Sequence, residues 1–181
     1  MKDKSLEREK IIKKYEVAND TRKFEIDLFW KRSLFFWGFI ASVFVGYAYF
    51  YDKNPVISTL IANFGLVCSL CWTLANRGSK YWQENWEIHV TKIEDQVTGP
   101  LYKINNPRLK KGFWGAWRYS VSKLAIALSD YVILIWVFIV VTQVVSYMSI
   151  EVLLITVFTV IYSMLILIKG RTNIKKVGEN G

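Results

Sequence analysis

The chain has 181 residues, enough for one domain of ordinary size, and it combines 52% apolar residues with a formal net charge of +9. This combination excludes a soluble globular domain, which would expose too much apolar surface, and a disordered basic tail, which would be less apolar. The excess of basic residues is interpreted as setting the orientation of the chain in the membrane and contacting anionic lipid. Nucleic-acid binding is not favoured, because no folded nucleic-acid-binding motif is recognisable.

Residues 1–32 are predicted to form a cytoplasmic N-terminal helix. A mixed stripe of apolar and polar side chains recurs at three- and four-residue steps from Ile12 to Phe29, and no Gly or Pro occurs before Gly38, so the helix should continue into the membrane. The segment is charged throughout and lacks the apolar core of a signal peptide. Such a projecting helix suits contact with a neighbouring subunit or with the chain's own middle loop.

Residues 33–75 are predicted to form the first transmembrane hairpin. No charged residue lies between Arg32 and Asp52 or between Lys53 and Arg77, and a bilayer core needs roughly 20 apolar residues. Small residues recur on one face of each span, and such stripes allow helices to approach closely in lipid. We therefore predict close packing of the two spans at Gly38, Ser42, Gly46 and Gly65.

Residues 76–124 are predicted to form a cytoplasmic loop with helical and interfacial parts. Trp82 and Trp86 lie on a helical stripe that also carries His89, the single histidine. Trp114 and Trp117 are interleaved with basic residues directly ahead of the next span. This pattern also occurs in RNA-stacking proteins, but beside a span it favours a segment at the lipid headgroups. All four tryptophans are predicted interfacial anchors.

Residues 125–168 are predicted to form a second, very tight transmembrane hairpin, followed by a basic cytoplasmic tail at 169–181. The stretch from Tyr131 to Ile168 would span almost two bilayer cores as one helix, so it must cross twice. The turn should lie near 146–151, and the third span must then begin before Asp130. Asp130 and Gln143 become candidate intramembrane pore or contact residues, although Asp130 could instead reach the headgroups.

The charge distribution predicts the orientation. If the chain crosses four times, 23 of its 24 Lys and Arg residues fall on one side. Short loops rich in these residues stay in the cytoplasm. Both termini and the middle loop are therefore placed inside, and both hairpin tips outside.

No catalytic or ligand-binding motif is recognisable. Cys68 and Cys71 form a C-x-x-C pair inside an apolar span, with no further cysteine and one distant histidine, so they are interpreted as packing residues. No nucleophile–histidine–acid arrangement can be built around His89, and no phosphate-binding glycine loop is present. We expect no enzymatic activity, no cofactor, no metal, no nucleic-acid partner and no known small-molecule substrate.

Three blocks resemble the RipA-like family of small bacterial inner-membrane proteins: "KFEIDLFWKRSLFFWGFIASVFVGY" at 23–47, "NRGSKYWQENWE" at 76–87 and "GPLYK" at 99–103. The resemblance implies a homo-octamer in the cytoplasmic membrane, without established enzymatic activity and associated with stress or host adaptation. It also gives a context for a cytoplasmic charge cluster that could pair within or between subunits, consisting of Arg32, Arg77, Lys80, Glu84 and Glu87.

Together these observations predict an all-α integral membrane protein with four transmembrane helices in two hairpins plus cytoplasmic amphipathic helices. Its predicted function is that of a homo-oligomeric, non-enzymatic assembly whose partners are other copies of the chain and membrane lipid. The alternative is an ion channel or small-solute transporter with a central pathway lined by Asp130 and Gln143.

Overall fold

The structure is a computed structural model that describes residues 2–104 and 119–171. Within these ranges the chain is entirely helical. Its four helices are α1 (Lys2–Phe50), α2 (Pro55–Val97), α3 (Val121–Ser146) and α4 (Ile150–Lys169). Each is long and apolar enough to cross a membrane. The predicted fold class, an all-α membrane protein with four spans, is confirmed.

The first two helices are much longer than a membrane span. α1 runs without a break from Lys2 into the apolar stretch, and α2 continues past the end of its own apolar stretch to Val97. The Asn54 side chain accepts hydrogen bonds from the backbone N–H groups of Val56 and Ile57 at 3.1 Å, and thereby caps the start of α2. The predicted helix of the middle loop is thus a direct continuation of the second span.

The second hairpin is as tight as its length requires. α3 begins at Val121, ahead of Asp130, and only three residues separate its end at Ser146 from the start of α4 at Ile150. Ser149 caps α4 by accepting a hydrogen bond from the N–H of Val152. Asp130 therefore lies within α3, nine positions from its first residue.

The chain divides into two units. The polar unit comprises residues 1–35 and 75–127, and the membrane unit comprises residues 36–74 and 128–181. The polar unit has a core of Tyr15, Ala18 and Val90, against which further side chains of α2 pack. The core of the membrane unit is Val43, Ala62, Trp136 and Val140. Each unit therefore has a core of its own.

Candidate functional site

A polar cluster around Gln143 links three helices of the membrane unit. Gln143, on α3, is only 1% exposed. Its Nε2 donates a hydrogen bond to the Tyr47 hydroxyl of α1 at 2.9 Å. Its Oε1 accepts hydrogen bonds from the hydroxyls of Ser58 at 3.4 Å and Thr59 at 3.3 Å, both on α2. Since an unpaired amide is costly in an apolar environment, these bonds favour one arrangement of the three helices.

Trp136 fills the centre of the membrane unit beside Gly65. Trp136 is fully buried and stacks on Phe44 with ring centroids 4.3 Å apart. A Cβ atom at Gly65 would lie 2.5 Å from the Trp136 ring, so only glycine fits there. The sequence analysis identified Gly65 as a packing residue but missed its partner. A tryptophan far from both ends of a span was the available signal, because membrane tryptophans usually lie at the interfaces.

The small residues of α1 were predicted to pack against α2. Within one chain, this prediction is wrong for two of them. Gly38 and Ser42 are exposed, and a Cβ atom at Gly38 would meet nothing within 4 Å. At Gly46 a Cβ atom would touch only Ile61, at 3.8 Å. The physical reason is that α1 directs Ile40 and Val43, on another face, into the interior.

The predicted charge cluster is distributed over separate contacts in the polar unit. Arg32 donates a hydrogen bond from Nη1 to the Ser79 hydroxyl at 2.7 Å. Lys80 pairs with Glu84 at 3.3 Å on α2. The predicted pairing between helices involves Glu87, whose carboxylate lies 3.7 Å from Arg22 of α1. A further predicted member, Arg77, is exposed.

The predicted tryptophan anchors have different environments. Trp82 is exposed, and its role as an interfacial anchor stays a prediction. Trp86 instead packs against the core of the polar unit, which corrects its prediction as a headgroup anchor, because α1 covers this face of α2. Trp114 and Trp117 lie outside the described residues. His89 is exposed beside Trp86, with ring centroids 5.5 Å apart.

Glu94 is a buried acid that the sequence analysis missed. It has no exposed surface, and its Oε2 accepts a hydrogen bond from the backbone N–H of Tyr102 at 2.8 Å. The Tyr102 hydroxyl in turn donates to Asn19 of α1 at 3.4 Å. The turn after α2, where Gly99 has a φ of 76°, is thereby held against the helix pair. In the sequence, Glu94 looks like any surface acid beside Asp95.

The remaining candidates lie on different helices. Asp130 is half-buried on α3. Cys68 and Cys71 are free thiols on α2. Across residues 2–104 and 119–171, no group of three His, Cys, Asp or Glu side chains is placed to hold a metal ion.

A groove of about 600 Å³ runs between α2 and α4 in the membrane unit. Most of its lining is aliphatic or aromatic, with the amide of Asn63 and the hydroxyl of Thr159 as its polar members. Asn63 Nδ2 donates to the backbone oxygen of Thr59 at 2.9 Å, whereas its Oδ1 is buried without a partner among the described residues. The groove suits an apolar chain better than a polar solute.

The sequence matches the octameric membrane protein family (8xMP) over residues 12–146, which is most of the chain. The chain belongs to this family. The match confirms the predicted resemblance to small octameric membrane proteins. It includes most of α1 together with α2 and α3, whereas α4 lies beyond it. No curated protein and no solved structure matches the chain. The protein is thus an oligomeric membrane protein of the 8xMP family.

Proposed function

We propose that eight copies of this chain form a closed ring in the bacterial inner membrane, and that the ring is a non-enzymatic structural or interaction assembly that serves adaptation to stress or a host. Membership of the octameric family supports the stoichiometry. Identical subunits in one membrane usually close into a symmetric ring. The helices that project beyond the membrane would then form the part of the ring that meets partners.

The polar cluster is the observation that carries the structural role. Gln143 makes hydrogen bonds to Tyr47, Ser58 and Thr59, all within the chain. A side chain that lines a solute pathway needs hydrogen-bonding capacity directed at the solute. Here both the carbonyl oxygen and the amide nitrogen of Gln143 are used to hold helices together, which supports a scaffold.

Both termini are proposed to lie in the cytoplasm, since that orientation places 23 of the 24 Lys and Arg residues inside. Cysteines introduced one at a time test this, in a background without Cys68 and Cys71. In intact cells an impermeant maleimide should label a cysteine at Met148, an exposed residue of the second hairpin tip. It should not label one at Lys10. Labelling only at Lys10 would contradict the orientation.

Membrane lipid is the second proposed partner. The groove between α2 and α4 has a mostly apolar lining, which suits an acyl chain. Native mass spectrometry from lipid nanodiscs should therefore find lipid retained by the assembly. A Phe64→Trp variant narrows the groove and should retain less.

Mass photometry of the purified protein in detergent tests the octamer. We expect one main species at eight times the chain mass, after correction for the detergent belt. A monomer or dimer at concentrations well above nanomolar would contradict the proposal. A variant that does not assemble should also fail to restore the growth of a deletion strain under stress, whereas a variant that assembles should restore it.

A further inference from the structure

We infer that neighbouring chains of the ring meet through two exposed apolar stripes, with Phe24 on α1 of one chain seated between Tyr81 and Ile88 on α2 of the next. This inference rests on the proposed octamer and names the surfaces that build it. All three residues lie in the polar unit and within the family match.

The α1 stripe consists of Leu6, Val17 and Phe24. They stand eleven and seven residues apart, which puts them on one line of an α-helix. More than half of each side chain is exposed, with Phe24 at 58%. The face of α1 that packs within the chain is a different one, which carries Tyr15 and Ala18.

The α2 stripe consists of Tyr81 and Ile88, seven residues apart. Tyr81 is 49% exposed and Ile88 is 53% exposed. On the opposite side of α2, Val90 packs against α1 and Gln83 donates a hydrogen bond to the Glu25 carbonyl. In the polar unit, α1 and α2 therefore cover each other with one face and leave an apolar stripe open on the other.

Lipid does not cover the α1 stripe at Val17 and Phe24. The charge-free stretch of α1 begins after Arg32. Phe24 lies nine residues before Ser33, and Val17 lies sixteen residues before Ser33. At 1.5 Å per residue, these separations are about 14 Å and 24 Å along the helix. At those distances the side chains are outside the hydrocarbon core. Aligned apolar groups in water favour a protein partner, and the family supplies one in the next copy of the chain.

The register of this contact follows from the helix pair itself. Ser33 donates to Asn76 at 3.0 Å, and Arg22 pairs with Glu87 at 3.7 Å. In both pairs the two residue numbers add up to 109, so the two helices keep one register between these contacts. Phe24 of α1 is therefore level with residue 85 of α2. In a ring whose axis is the membrane normal, every copy lies at the same depth. For helices close to that normal, Phe24 of one chain is then midway between Tyr81 and Ile88 of the next.

The heptad spacing on both stripes reinforces this register. Val17 and Phe24 on α1 and Tyr81 and Ile88 on α2 all follow a seven-residue step, the spacing of knobs-into-holes packing. The nearest alternative register is a full heptad away, about 10 Å along the axis. Lys13 is level with residue 96 and thus comes beside Asp95, which has the opposite charge and is also exposed.

The two stripes differ, so the contact is head-to-tail. Each chain offers its α1 stripe to one neighbour and its α2 stripe to the other. A head-to-tail contact closes into a ring and leaves no stripe uncovered, whereas a two-fold contact would pair α1 with α1.

Disulfide crosslinking in membranes tests the contact, in a background without Cys68 and Cys71. The pairs Phe24→Cys with Tyr81→Cys and Phe24→Cys with Ile88→Cys should each give an oxidation-dependent ladder of covalent oligomers that ends at the octamer. The two single variants co-expressed should stop at the dimer, and each alone should give none. Phe24→Cys with Asp95→Cys is the matched control, because Asp95 is ten residues from the level of Phe24 and should not crosslink.

A substitution provides an independent measurement. Phe24→Lys should lower the octamer fraction by roughly tenfold or more, because an unpaired buried ammonium opposes association. Circular dichroism should show that its helix content is retained. Ile12→Lys is the control on the same helix, since Ile12 is exposed on another face, and it should leave the octamer intact.

The outcomes separate this inference from the proposed octamer. An octamer by mass photometry that gives no ladder, or that survives Phe24→Lys, overturns the contact and leaves the octamer standing. Crosslinking of Phe24→Cys alone overturns the head-to-tail arrangement. A wild-type protein that is not octameric overturns the proposed function, and the contact with it.

Discussion

The polar unit and the membrane unit are held together by different forces. In the polar unit, Tyr15, Ala18 and Val90 form an apolar core, and the hydrophobic effect drives α1 onto α2. In the membrane unit, lipid removes that driving force, and helices associate through close packing and hydrogen bonds. Gly65 beside Trp136 and the Gln143 cluster supply both. Because of this difference, we expect lipid to cover open apolar surface in the membrane unit and protein to cover it in the polar unit.

The largest expected effect comes from filling the space beside Trp136. Gly65→Leu places a side chain where even a Cβ atom is 2.5 Å from the indole ring, and overpacking of this kind costs about 1–3 kcal/mol or more. We expect a large fall in the melting temperature in detergent, followed by tryptophan fluorescence. Gly38→Leu is the control, since that position is open. Equal losses in both variants would show that close packing at Gly65 does not hold the membrane unit.

A moderate effect is expected when the polar cluster is removed. Gln143→Leu keeps the size of the side chain but loses its three hydrogen bonds, and interhelical bonds in membranes average about 0.6 kcal/mol each. The melting temperature should fall measurably. Thr142→Val, beside it, loses only a bond to the Ile139 carbonyl of its own helix and should be nearly neutral. A neutral Gln143→Leu would mean that packing alone determines the membrane unit.

A small effect is expected for the charged pair of the polar unit. Arg22→Gln removes the contact with Glu87 at 3.7 Å and the stacking over the Tyr102 ring at 5.0 Å. Partly exposed pairs contribute about 0–1 kcal/mol, and salt screens them. Its melting temperature should be slightly lower than that of the wild type at low salt and equal at high salt. A large fall in melting temperature that salt does not change would contradict this expectation. It would show that Arg22 stabilises the protein as strongly as Gln143 does.

No effect is expected from Asp130→Asn on ion or solute flux. In liposomes of controlled lipid composition, we expect neither the wild type nor this variant to conduct above the background of empty vesicles. Flux through the wild type that the substitution abolishes would instead establish the channel or transporter alternative. The membrane unit would then conduct ions or solutes and would not be only a scaffold.

The sequence was sufficient for the helices, since charge-free stretches and their lengths are local properties. The four spans and an α3 that begins before Asp130 follow from counting residues against the bilayer thickness. The uninterrupted α1 follows from helical periodicity and the absence of Gly and Pro before Gly38. Gly65 was recognised because it belongs to a stripe of small residues that recurs at helical spacing on one face of its span.

Contacts between distant residues could not be predicted in the same way. Helical periodicity gives the face on which Gly38 lies, but not which neighbour covers that face. Trp136 pairs with Gly65 across 71 positions, and Gln143 reaches Tyr47 across 96. Glu94 accepts a hydrogen bond from the Tyr102 N–H, eight residues further along, because the turn after α2 folds back onto the helix. Such pairings depend on the packing of whole helices, which one sequence does not encode in any local pattern.

The three-residue connection between α3 and α4 constrains how the protein is made. Three residues reach about 10 Å at most, a third of the hydrocarbon thickness, so these two helices cannot enter the membrane in separate events. They must leave the insertion machinery as a preformed pair, with Glu151 next to the turn that joins them. The same tether acts in turnover. A protease that pulls on the chain after α4 has to extract α3 together with α4. Extraction of α3 breaks the contacts of Trp136 and Gln143 that hold the membrane unit together.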